Sequence, residues 1–130
     1  MKQTLSLITV VVDDYDTAIA YYTGALGFEL VEDSDRGGGK RWVRVMPPGS
    51  SETGLLLARV VNEAQRARIG DQTGGRVGFF LQTDDFQRDY ARMRAHGVEF
   101  LEPPREEEYA TVAAFRDLYG NRWDLLQPRA

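Results

Sequence analysis

With 130 residues and a net charge of -4, the chain is sized for one domain with one core, and it lacks the concentrated basic face that a nucleic-acid backbone demands. It contains no cysteine, which excludes disulfides, thiolate metal sites and thiol nucleophiles. Apolar residues at 42% and charged residues at 28% are those of a folded chain; no run approaches about 18 apolar residues and the N-terminus leads straight into a strand pattern, so a cytoplasmic protein without membrane contact is expected.

Residues 5 to 12, rich in β-branched side chains, read as a strand that ends at Asp13-Asp14, a helix N-cap. A helix follows from Tyr15, with Ile19, Tyr22 and Leu26 as its apolar face and Gly27 as its stop, and Phe28 to Val31 form the next strand. "DRGGGK" and "MPPGSSETG" are turns by their Gly and Pro content, and they bracket strands at Arg41 to Met46 and Gly54 to Val60. The tripled glycine lacks the GxxxxGK[ST] spacing of a phosphate loop. Residues 61 to 75 link the halves and hold at most a short helix; a plain linker and a lid both remain open.

The plan then repeats. Val77 to Gln82 read as a strand, Thr83-Asp84-Asp85 as a cap, and Phe86, Tyr90 and Met93 as a helix face stopped at Gly97. Strands at Val98 to Leu101, Tyr109 to Arg116 and Asn121 to Gln127 complete the chain. "VDDYDTAIAYYTGALGFEL" and "TDDFQRDYARMRAHGVEF" align at an offset of 70 or 71 residues. The chain is therefore predicted to be α+β, one domain of two βαβββ modules at about 5–60 and 76–127, joined by the linker at 61–75.

This duplication, with the closing "FRDLYGNRWDLL", resembles the vicinal oxygen chelate superfamily, which includes glyoxalase I, extradiol dioxygenases, fosfomycin resistance enzymes and bleomycin resistance proteins. The resemblance implies a cup-like, eight-stranded mixed sheet and a homodimer. It also implies four cavity-facing positions where metal-dependent members keep His, Gln or Glu. These fall near Leu7, near Gly54 or Leu55 with Glu52 as the closest oxygen donor, near Gly78, and on Asp124. One donor of four does not make a catalytic metal site, which needs about three protein ligands. The single histidine, His96, belongs to the polar end of the second helix. No metal and no cofactor are expected, and the metal-free binding members become the closer comparison.

By strand alternation Asp124 points with Arg122 and Leu126, while Trp123 and Leu125 point to the other side. A carboxylate in a half-apolar cup costs several kcal/mol unless paired, so an ion pair with Arg122, Arg44 or Arg116 is expected. The carried-over inward face holds Thr9, Phe80 and Gln82, and Trp42, Arg44 and Met46 share one face of their strand. The aromatic residues Trp42, Phe80, Phe115 and Trp123 are open to two readings, core or binding wall. The expected function is a metal-independent small-molecule binding protein holding an organic ligand against Asp124, Arg122, Phe80, Gln82, Thr9, Trp42 and Arg44. The alternative is a lyase, isomerase or dioxygenase of the same superfamily, with an atypical metal site or with Asp124 as general base.

Overall fold

The structure, a computed structural model, describes residues 1–129. The chain divides into two compact units, the first ending at Ile69 and the second starting at Gly70. The division falls inside the linker predicted at 61–75, where α2 (Glu63–Arg66) forms a single turn capped by the Asn62 side chain.

In the first unit, β1 (Leu7–Val12), α1 (Tyr15–Ala20), β2 (Glu29–Gly37), β3 (Lys40–Met46) and β4 (Gly54–Arg59) follow in order. The sheet runs β1-β4-β3-β2, with β1 parallel to β4 and the other pairs antiparallel. Asp14 caps α1 by accepting from Thr17 N and Thr17 Oγ1, both at 2.8 Å. The helix widens into a π turn over Tyr21–Ala25, and its buried stripe is Tyr15, Ala18, Tyr22 and Leu26. Ile19, assigned to that stripe from the sequence, is only half-buried. Val10, Val12, Val43, Val45 and Leu57 are fully buried on one face of the sheet. A strand without strong apolar character, β2 extends well past Val31. Its ladder with β3 and the Arg41 to Asp33 ion pair at 2.8 Å hold Asp33 and Asp35 in extended chain that hydrophobic patterning does not reveal.

In the second unit, β5 (Phe79–Gln82), α3 (Phe86–Ala95), β6 (Glu99–Phe100), β7 (Arg105–Glu106), β8 (Ala110–Arg116) and β9 (Arg122–Pro128) form a sheet in the order β5-β9-β8-β6, with β7 also on β8. β5 is parallel to β9, so the mixed pairing of the first unit recurs. The mixed α+β plan is the expected one, arranged as sheets of four and five strands; β7 is the strand that the sequence reading does not contain. It is two residues long inside the charged run "EPPREEEY", where no alternation is visible.

Register divides the second sheet into two faces. Phe79, Trp123 and Phe115 are opposite one another on one face, with Phe79 stacked on Trp123 at 4.7 Å and Phe115 on Trp123 at 5.7 Å. Phe100 joins them to Tyr90 of α3, so this face is the helix-covered core. The backbone N–H of Phe86 donates to Gln127 Oε1 at 2.8 Å and fixes the start of α3 on β9. Trp123 and Phe115 are therefore core, burying large aromatic areas in offset contacts. The opposite face carries Phe80, Asp124 and Ala114 in one row.

Candidate functional site

The turn before β9 sets where Asp124 stands. Asp117 is buried and its carboxylate accepts from Tyr119 N and Asn121 N at 3.0 Å, Asn121 Nδ2 at 2.9 Å and Trp123 Nε1 at 3.3 Å. Gly120 closes the turn at φ +100°, where a side chain would be strained. With the turn locked, β9 has one register: Trp123 enters the core and Asp124 takes the other face.

Asp124 is 8% exposed, and its Oδ1 is buried with no hydrogen-bond partner among the described residues. Burial pushes its carboxyl above the usual aspartate range, Arg105 draws it back and Glu102 adds to the rise. Arg105 does not bond to it; Glu102 holds the Arg105 guanidinium at 3.0 Å and Glu107 at 2.6 Å. Glu102 also accepts the Ala114 backbone N–H at 2.9 Å, directly across the ladder from Asp124. Glu102, Arg105 and Ala114 are surroundings of Asp124 that sequence reasoning missed. The only signal was the charged run before β8, and nothing in it indicated which strand it would meet.

The expected ion pair is not formed. Arg116 is bonded to Glu99, and Arg44 is held by Glu32 at 2.9 Å. Arg122 shares the Asp124 face but is exposed and belongs to no ion pair among the described residues. Residues two apart on a strand are about 7 Å from each other, and the long arginine stem lets its head reach water at less cost than a dehydrated pair.

Beside Asp124 in the row stands Phe80, 67% exposed, with Gln82 exposed two residues further along the same face. In the first unit the corresponding row is Thr9, Leu56, Arg44 and Glu32. Thr9 is exposed and Trp42 half-buried, on the face opposite to Val43, with the Arg36 guanidinium over the Trp42 ring at 5.6 Å. Ser34 donates to Glu32 at 2.8 Å and, with Arg44, holds the Glu32 carboxyl below the usual range. Each unit thus gathers its own share of the expected residues: Thr9, Trp42 and Arg44 in the first, Phe80, Gln82, Arg122 and Asp124 in the second.

The four positions at which a metal is implied do not fit one. Leu7 and Gly54 are partners in the β1–β4 ladder and have no donor side chains. At Gly78 a Cβ would lie 2.7 Å from Thr73 Cγ2, so no donor side chain fits without a shift. Asp124 stands without companions, and no three His, Asp or Glu side chains among the described residues are grouped to hold an ion. His96 caps α3 at the exposed C-terminal end, its Nδ1 at 2.9 Å from Arg92 O. No helix among the described residues is long and apolar enough to cross a membrane.

Comparison with known proteins places these features in a family. The model of the Glyoxalase/Bleomycin resistance protein/Dioxygenase superfamily matches residues 4–125. An uncharacterized protein of Shewanella frigidimarina is 55% identical over 128 residues, 98% of this chain and 95% of that one. The crystal structure of UcmS2 superimposes with a TM-score of 0.83 at 33% identity, covering 97% of this chain and 98% of that one. The structure of TnmS3, an antibiotic binding protein from Streptomyces sp. CB03234, superimposes with a TM-score of 0.77 at 30% identity, over 99% and 98%.

Proposed function

The chain belongs to the glyoxalase/bleomycin resistance protein/dioxygenase superfamily, and from that premise we propose that it is a metal-independent binding protein for a small, flat organic molecule, working as a homodimer. One observation carries this reading: on the face of the second sheet away from α3, an exposed phenyl ring, Phe80, stands next to a buried carboxyl, Asp124, that has an oxygen without a partner. An apolar ring left in water and a polar atom left dry are both costs to the free protein. A ligand with a flat apolar body and one polar group relieves both at once. Arg122 and Gln82 on the same face of this sheet supply further polar contacts in this reading. The similarity to an antibiotic binding protein supports the binding of a small organic molecule.

Burial raising the Asp124 carboxyl also favours a second reading, in which Asp124 acts as general base. Calorimetric titration in the presence of a chelator, followed by recovery of the ligand, separates the two. Saturable binding with the ligand recovered unchanged supports the binding protein; conversion of the ligand, or binding that appears only after a divalent ion is added, overturns it. Native mass spectrometry of protein taken from its source cell identifies the natural occupant, and sedimentation gives the oligomeric state.

A further inference from the structure

We propose that Ala114 is the specificity-determining residue of the Asp124 site, and that the group it admits to the carboxylate is a neutral hydroxyl donor on an aromatic ring. The proposal rests on the binding reading above. Its basis is a comparison of the two repeated rows.

In the first unit, the strand beside Leu56 carries Arg44, whose side chain is tied at 2.9 Å to Glu32, its register partner on β2. At the equivalent place in the second unit, beside Asp124, stands Ala114. Directly opposed side chains on antiparallel strands have Cβ atoms about 5 Å apart, so a methyl group in place of an arginine brings no side-chain donor to the carboxyl. Ala114 accordingly keeps part of its surface exposed, whereas Val112 and Phe115 on the same strand are fully buried.

The same row determines what can enter. The neighbouring acceptor, Glu102 Oε2, is already used by the Ala114 N–H and by Arg105 Nε, which leaves Asp124 Oδ1 as the acceptor still lacking a donor. Arg122 stands on the same face, and Arg105 acts on the carboxyl from the side of β7. The Arg105 guanidinium is already held by Glu102 and Glu107, and beside a carboxyl only 8% exposed an ammonium or an anion would have to shed its water, the anion facing a carboxylate besides. A neutral hydroxyl meets neither opposition, and its ring has Phe80 to lie against.

The test compares 2-naphthol with 2-methoxynaphthalene, which has the same ring system but no donor, by titration of the whole chain. The expected result is 2-naphthol binding at least about tenfold more tightly, as a hydrogen bond to a charged acceptor implies. Asp124→Asn should reduce that difference, and Ala114→Leu should remove 2-naphthol binding while the circular dichroism spectrum stays that of the parent. Ala114→Arg should also remove binding and raise Tm, because it gives Asp124 a partner, a gain that simple loss of folding cannot imitate. Equal affinity for the two probes overturns the donor assignment and leaves the binding reading standing. Undiminished 2-naphthol binding by Ala114→Leu or Ala114→Arg overturns the role of Ala114, and failure of both probes to bind overturns the binding reading as well.

Discussion

Asp117 and Asp124 are seven residues apart on one turn and strand and are almost equally buried, at 5% and 8%, yet they have opposite polar surroundings. The first accepts four hydrogen bonds; the second has an oxygen with none. One carboxylate builds the structure, and the other is carried by it.

Asp117→Ala is expected to destabilise the fold by about 3 kcal/mol, because the side-chain amide of Asn121, the Trp123 indole N–H and two backbone donors lose their acceptor at a buried site. Chemical denaturation followed by Trp fluorescence measures it. A loss below about 1 kcal/mol would mean that the turn is held by its backbone alone.

Asp124→Asn is expected to do the reverse at pH 7 and stabilise the protein by about 1 kcal/mol, since it removes a charge that burial opposes. The sign follows from the direction of the shift. The folded-state carboxyl titrates above its ordinary value of 3.8, so the folded chain holds the proton longer, and ionising Asp124 costs stability as pH rises through its folded value. Well below 3.8 both states are protonated and ionisation no longer contributes to the difference between the proteins. Tm measured from pH 3 to 8 for both proteins would show a gap that shifts in favour of Asp124→Asn as pH rises out of the acid range; parallel curves would contradict the assignment.

Phe80→Ala is expected to leave stability within about 0.5 kcal/mol of the parent, because the ring is 67% exposed and little is lost to water on folding. Affinity for an aromatic probe should fall at least about tenfold, as lost ring contact implies. A large drop in Tm with unchanged affinity would make Phe80 a packing residue instead.

Adding excess nickel, zinc, manganese or iron is expected to leave Tm within about one degree, since a lone carboxylate gives no binding energy to couple to folding. A rise of several degrees that Asp124→Ala abolishes would restore a metal site to this chain.

Much of the plan was legible. The β-branched run before Asp13-Asp14, the caps at Asp14 and Asp85, Tyr22 and Leu26 on the buried side of the first helix, Phe86 and Met93 on that of α3, and the Asp117 turn are local patterns, and local patterns are written within a few residues. Strand β2 was read short and β7 was missed, because their residues are held by ladder bonds to β3 and β8 rather than by apolar alternation. The division of β9 was legible too: Trp123 and Leu125 lie on the core side and Asp124 on the other.

By itself, then, the sequence determined the two-module repeat, the family to which the chain belongs, and the presence of one carboxylate, Asp124, on the last strand. Only the tertiary structure decided what surrounds that carboxylate. Arg44, Arg116 and Arg122 were equally available as partners on paper, and an ion pair needs a distance of about 4 Å that strand register, not composition, sets. Register gave Arg44 to Glu32 and Arg116 to Glu99, put Ala114 across from Asp124, and left its Oδ1 buried without a partner.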